Sequence, residues 1–362
     1  MDKRNETLEK SLKFLVESID EKGGSRAYYS RIYNPLKGWS LMYPETSGYI
    51  IPTLISCYEE FNDEVYLNKA IKMADWLLSI QFKDGSFPGL LYKKNSNNKS
   101  IFNSAQILIG LTSLYKKTKT KKYLIACEKC SRWIVKNQEV NGLWIKYSYK
   151  DNFMPSYYSR VAWPLLLVWE ITHDKELLES SNKSLELIYN RKLKNGFIRD
   201  SGFQKDSYAF IHTIAYVIRG FFEASLIIEN EKYKLLSIEW ARTLLKKFEL
   251  RNKLPGAYYE DYKGINNFEC LTGYCQLAII WLKIFNSNQD ITYVNAALKA
   301  IDKVEKNIPK NNFIMKNGGV PGSAPYYGRY MAFRQPNWAT KFLIDALLLE
   351  KSVLSNIESK FN

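Results

Sequence analysis

Histidine is nearly absent: His173 and His212 are the only two in 362 residues. That is too few to build a zinc site from imidazoles, and no metal or cofactor is expected. Cysteine is scarce and odd in number, with Cys57, Cys127, Cys130, Cys270 and Cys275. An odd count excludes a complete disulfide framework and fits a reducing compartment. Cys127 and Cys130 have metal-like spacing, but they sit in a helical pattern with no second such pair and no histidine nearby, which reads as helix packing. No apolar run reaches the roughly 18 residues of a membrane span. The opening segment, Met1 to Lys13, lacks the apolar core of a signal peptide, so a cytoplasmic location is expected. Phosphate-cradling glycine loops and dinucleotide fingerprints are missing too.

Aromatic residues and positive charge are plentiful. The chain has 9 Trp, 26 Tyr and 18 Phe, which suits either a large core or a large binding surface. Lys and Arg number 52 against 37 Asp and Glu, a net charge of +15, so an anionic partner is favoured. Much of the excess lies in outward-facing runs such as Lys116 to Lys122. No recognition motif for nucleic acid accompanies it, and nucleic acid is not expected as a partner.

The strongest signal is an internal repeat. A charged amphipathic helix ends in a turn with glycine and an aromatic, as in Lys83-Asp84-Gly85-Ser86-Phe87 after residues 63–81. The unit returns at 123–138, 175–192, 232–250 and 291–308, and residues 5–20 make a sixth. A more apolar helix follows each turn, starting near Glu45, Asn103, Tyr158, Tyr208, Thr272 and Asn337. Charged helices suit an outer layer and apolar ones an inner layer. The expectation is an all-α, twelve-helix protein in which inner and outer helices alternate and close on themselves. No linker divides residues 1–362, which predicts one domain. Strand is expected only as short hairpins in the loops.

This pattern resembles the (α/α)6 toroid, or six-hairpin fold, of glycan-active enzymes. Tyr43-Pro44-Glu45-Thr46-Ser47-Gly48-Tyr49, Leu271 to Ala278, and Gly319 to Ser323 through Asn337 to Phe342 are similar to a narrower toroid family of bacterial exopolysaccharide biosynthesis clusters. The resemblance implies a carbohydrate-active protein of surface polysaccharide biosynthesis whose partner is an oligosaccharide or polysaccharide. Squalene-cyclase-like toroids share the Gln81 to Phe87 turn, but their acidic protonation motif is missing.

In such a toroid the loops leading into the inner helices share one mouth, where helix N-termini favour anions. Candidate catalytic residues are Glu45, Tyr158 and His212. Candidate substrate-binding residues are Trp39, Tyr43, Asn103, Arg160, Tyr208, Gln276, Tyr326, Tyr327, Arg329 and Asn337. Helical spacing places Tyr208, His212, Tyr216 and Arg219 on one face, which either lines a cavity or forms a satisfied core network. Two chemistries fit. Lyase or C5-epimerase action on an acidic glycan needs a cation or amide for the sugar carboxylate and a Tyr or His for the C5 proton. Inverting hydrolysis needs Glu45 with a second carboxyl, drawn from Asp206, Glu260, Asp261 or Glu269. A non-catalytic toroid that binds glycan or a partner is the third reading. The last mouth loop, 318–337, is long and holds glycines and prolines. It is expected to bring Arg329 to the mouth beside the Glu45 and His212 loops.

Overall fold

The structure is a computed structural model that describes residues 3–150, 152–310 and 313–361. Met1 and Asp2 of the opening segment lie outside the described residues. Twelve α-helices occur among those described: α1 (Lys3–Glu17), α2 (Pro44–Phe61), α3 (Glu64–Ser79), α4 (Ile101–Thr118), α5 (Lys121–Lys136), α6 (Ser159–Thr172), α7 (Lys175–Tyr189), α8 (Ile211–Ile227), α9 (Glu231–Arg251), α10 (Leu271–Asn288), α11 (Ile291–Lys306) and α12 (Asn337–Phe361). The even-numbered helices form an inner ring. Each packs on the next, α2 on α4 and so on to α12, and α12 packs back on α2. Each inner helix also packs on the outer helix that follows it, and α12 pairs with α1, so the N-terminal helix completes the last hairpin. Arg4 secures that closure, with ion pairs to Asp302 at 2.8 Å, Glu305 at 2.5 Å and Glu350 at 3.0 Å.

Local chemistry makes the inner-to-outer turns tight. Asn62, Lys119, His173 and Gln289 each end an inner helix in the left-handed conformation. The next residue caps the outer helix: the carboxylates of Asp63, Asp174 and Asp290 accept from the amides of Val65, Glu176 and Thr292. His173 is therefore a turn residue on the rim opposite the mouth.

The return turns glue one repeat to the next. Gln81 donates to the Gly85 carbonyl at 2.9 Å and to Ala126 O on α5 at 3.0 Å. Gln138 repeats the arrangement with Gly142 and with Ser180 O on α7.

Among the described residues seven two-residue strands, β1 (Tyr28–Tyr29), β2 (Ala209–Phe210), β3 (Ala257–Tyr258), β4 (Gly264–Ile265), β5 (Glu269–Cys270), β6 (Ser323–Ala324) and β7 (Gln335–Pro336), knit the mouth loops. Only β3–β4 is a hairpin within one loop. The pairs β1–β7, β2–β3 and β5–β6 join different loops, with Tyr28 opposite Pro336, Ala209 opposite Tyr258 and Glu269 opposite Ala324. The first strand of the middle sheet delays the fourth inner helix, which starts at Ile211 rather than near Tyr208.

Glycine lets α2 and α4 approach closely. A Cβ on Gly110 would lie 2.0 Å from the Gly48 carbonyl oxygen, and one on Gly48 would lie 2.5 Å from the Ile107 Cα. Neither obstacle is a flexible side-chain tip, so the helices themselves must separate. Gly110→Ala should lower unfolding stability by about 1–3 kcal/mol, the usual cost of overpacking. Urea denaturation followed by far-ultraviolet circular dichroism measures it, and an unchanged midpoint would show that the ring tolerates a wider crossing.

Candidate active site

The mouth loops and the first turns of four inner helices enclose a cavity of about 280 Å³. Its wall is mostly aromatic, with Tyr43, Tyr49, Phe102, Tyr149, Tyr157, Phe203, Phe210, Tyr216, Tyr330 and Trp338 among the lining residues. Glu45, Asn103, His212 and Arg329 supply the polar groups. Among the described residues Glu45 is the one carboxylate in this lining.

Glu45 sits in the first turn of α2, behind Pro44 at the helix start, and is buried. The Tyr43 hydroxyl donates to its Oε2 at 2.5 Å. The Asn103 amide, oriented so that its oxygen accepts from the Leu90 N–H at 3.1 Å, donates to the same oxygen at 3.2 Å. Burial raises the Glu45 pKa to about 7, against the opposing effects of the Tyr43 hydrogen bond and the Arg160 charge.

His212 is the second residue of α8. Its Nδ1 lies 2.9 Å from Gln276 Oε1. A carbonyl oxygen accepts only, so Nδ1 carries the proton and Nε2 keeps a lone pair. Burial drives the His212 pKa down to about 3; the Gln276 bond opposes the fall and the Arg160 charge adds to it. The ring is therefore neutral at physiological pH. Gly273 gives α10 room beside it, since a Cβ there would meet the Ile211 side chain at 2.6 Å and the His212 amide at 3.0 Å. Tyr216 and Tyr330 flank the imidazole, with ring centroids at 4.4 and 5.0 Å. Tyr330 is held in turn by the Trp338 indole, which donates to its hydroxyl at 2.9 Å.

Of the residues singled out from sequence, Glu45, His212, Tyr216, Tyr43, Asn103 and Arg329 meet at this cavity, and Gln276 orients His212. The others lie elsewhere. Tyr158 is fully buried in a 3-10 turn and anchors a loop through Ser148 and the Tyr149 amide, both at 3.2 Å; its neighbour Tyr157 faces the cavity instead. Tyr208 precedes the helix, packs on Tyr259 and Phe210, and drops out of the His212 face. Trp39 packs on Phe14 and Tyr29. Asn337 ties α12 to the first loop, donating to Ser25 at 2.7 Å and Thr46 at 3.0 Å. Tyr326 packs on Phe333, and Tyr327 is 67% exposed. Arg160 bonds Gln106 Oε1 through Nε at 2.9 Å and faces the other half of the barrel.

The four proposed second carboxyls are also outside the lining. Glu269 is held by Tyr274 and Lys303. Glu260 accepts from the Asp200 amide and faces Arg199, while Asp206 and Asp261 are exposed in turns. Sequence reasoning missed Tyr49, Phe102, Tyr149, Phe203, Phe210, Met331 and Trp338 in the wall. For Phe102 and Trp338 the signal was their place beside Asn103 and Asn337 at helix starts.

Neither a family model nor a curated protein matches the sequence. Solved structures do match along nearly the whole chain. A cellobiose 2-epimerase from Spirochaeta thermophila aligns with TM-score 0.76 and 10% identity, over 98% of this chain and 97% of that one. An unsaturated glucuronyl hydrolase from Bacillus sp. GL1, responsible for the degradation of glycosaminoglycan, aligns with TM-score 0.74 and 13% identity over 95% and 96%. An α-amylase from Clostridium perfringens aligns with TM-score 0.72 and 16% identity over 95% and 97%. The fold is the (α/α)6 toroid. No helix among the described residues is long and apolar enough to cross a membrane. The described residues of the toroid also hold no cluster of three His, Cys, Asp or Glu suited to a metal ion.

A carboxyl that keeps its proton to about pH 7, against an ordinary 4.5, makes the folded toroid bind more protons than the unfolded chain between those values. Its contribution to stability is full below about pH 4.5 and falls as pH rises toward 7. Denaturation at pH 5 and pH 8 should show the parent losing up to about 3 kcal/mol relative to Glu45→Gln. Parallel pH dependence in both proteins would place the Glu45 pKa in the ordinary range.

Proposed function

We propose that this toroid is a glycan-active enzyme that removes the C5 proton of a uronic acid unit, by lyase or epimerase chemistry. The observation that carries the reading is the pairing, in one aromatic cavity, of a neutral imidazole base with a single proton-holding carboxyl. Hydrolysis by inversion requires two carboxyls across the bond, and the lining supplies one. The aromatic wall suits sugar faces, and Arg329 at the opening suits the uronate carboxylate. Structural likeness to sugar epimerases and glucuronyl hydrolases supports a carbohydrate substrate.

His212 Nε2 takes the C5 proton as the sugar carboxylate, held by Arg329, accepts the developing charge. In elimination the C5 electron pair forms the C4–C5 double bond. The C4–O bond breaks, and the Glu45 carboxyl protonates the departing oxygen. In epimerisation the same carboxyl returns a proton to the opposite face of C5. Both routes need neutral His212 and protonated Glu45. The segments resembling exopolysaccharide-cluster proteins support a place in polysaccharide biosynthesis, with the chain acting as one domain. Five free cysteines suit a cytoplasmic setting.

Incubation with uronate-containing oligosaccharides should yield an unsaturated product absorbing in the ultraviolet, or C5 exchange with deuterated solvent. kcat/KM should fall above about pH 7 as Glu45 ionises. Glu45→Gln and His212→Gln should each lower turnover by about 10²–10⁴-fold with an unchanged circular dichroism spectrum, the range for a lost general acid or base. A new reducing end without unsaturation would make the protein a hydrolase. Saccharide binding without turnover would make it a binding toroid.

A further inference from the structure

A second chamber of about 590 Å³ occupies the other half of the barrel, beneath the floor of the mouth cavity. All six inner helices line it, and it opens at the far rim, where Ser56, Glu59 and Ser352 are exposed. Tyr49, Tyr216 and Phe342 form the partition: Tyr49 stacks on Phe342 at 5.8 Å, and Tyr216 meets the same ring edge-on at 6.2 Å.

The chamber is built around cations. Arg160, Arg219, Lys283 and Lys341 line it. Two carboxylates inside engage three of them. Glu223 pairs with Arg219 and, at 2.9 Å, with Lys283. Asp345 pairs with Lys341 at 2.5 Å and accepts from Thr53 at 2.7 Å. Glu59 and Glu60, at the rim, are engaged by Lys117 and Lys351. Four cations against two interior carboxylates leave a surplus of two positive charges.

Arg160 holds the sharpest part of that surplus. It is only 3% exposed, yet no carboxylate among the described residues pairs with it. Gln106 takes its Nε, and the guanidinium carbon lies 4.2 Å from the Tyr216 ring centroid, leaving the terminal nitrogens without a protein acceptor among the described residues. A buried guanidinium without an anion is costly, and its planar fork matches an oxyanion.

We propose that this lower chamber is a second binding site, distinct from the mouth cavity, that takes a compact dianionic oxyanion of the phosphate class. Two negative charges match the surplus of two. The terminal nitrogens of Arg160 would hold two of its oxygens, with Lys283 and Lys341 supplying further donors. The shared chemistry is a phosphate group, either as the free ion or as a sugar phosphate.

Calorimetric titration of the full chain with inorganic phosphate at pH 7.5 should show one saturable site, with a matching rise in Tm. Lys283→Gln, a partly exposed position that leaves the Arg219–Glu223 pair in place, should weaken phosphate binding about tenfold. Arg160→Lys keeps the charge but loses the fork, and should also weaken binding. Glu45→Gln, at the mouth, removes a negative charge rather than a ligand and should not weaken phosphate binding. Glucose 1-phosphate in place of phosphate separates the two sources: tighter binding selects the ester, weaker binding the free ion. Absence of saturable phosphate binding up to millimolar concentrations would overturn the proposal. So would binding that Lys283→Gln leaves intact, or that Glu45→Gln removes.

Discussion

The whole arrangement depends on closing a ring of six inner helices at a fixed diameter. The Gly48–Gly110 crossing sets one contact of that ring at backbone distance, and Gly273 sets another beside His212. A wider crossing would separate Glu45 on α2 from Asn103 on α4, whose amide must reach the same carboxylate oxygen. Closure also determines polarity. Every inner helix runs in the same sense, because each follows a mouth loop, and α2, α4, α6, α8 and α10 end in short turns at the far rim. Six helix N-termini therefore converge at the mouth, as positive ends of dipoles, and the residues that start those helices become neighbours across hundreds of positions.

The same burial gives the two central groups opposite tendencies that serve one end. Removing water disfavours the charged form of each, so the carboxyl of Glu45 keeps its proton and the imidazole of His212 loses its own. The result is a carboxyl and an imidazole lining one cavity, both electrically neutral below about pH 7. Neighbouring hydrogen bonds refine this rather than create it. Tyr43 and Asn103 reach the carboxylate and favour its ionised form, while Gln276 fixes which imidazole nitrogen is free. A pair of carboxylates in the same volume would repel and would have to share a proton, which is a different chemistry.

Much of the fold was legible because burial on a closed ring writes itself into periodicity. Apolar-all-round helices alternating with amphipathic ones have few other solutions, and the Gln81 and Gln138 turns mark where one repeat is glued to the next. Helix starts were also legible where a proline or a cap announces them, as Pro44 does for Glu45 and Ser100 for Asn103. The failures share a cause: sequence spacing says which residues are near a helix start, not which way a side chain points. Tyr157 and Tyr158 are adjacent, and the turn sends one into the cavity and the other into the loop anchor. Tyr208 fell off its expected face because β2 pairs with β3, a contact set nearly fifty residues away. Asn337 reads as a polar group at the mouth, yet its amide is consumed in joining the last inner helix to the first loop. The aromatic wall was hidden for a further reason: the same Tyr and Phe composition serves core and cavity alike, and only the closed ring decides between them.

The floor between the two chambers connects these points. Arg160 begins beside the mouth, in the first turn of α6, but Gln106 turns its guanidinium downward, against the Tyr216 ring. The residue thus presents its hydrogen-bonding edge to the lower chamber while its charge still acts on Glu45 and His212 above. Charge crosses the aromatic partition because Tyr49, Tyr216 and Phe342 are buried and leave the field poorly screened. A ring that buries a guanidinium beneath Glu45 and His212 has linked the electrostatics of both halves of the barrel. The acidity of Glu45 is then a property of the whole bore of the toroid rather than of the mouth alone.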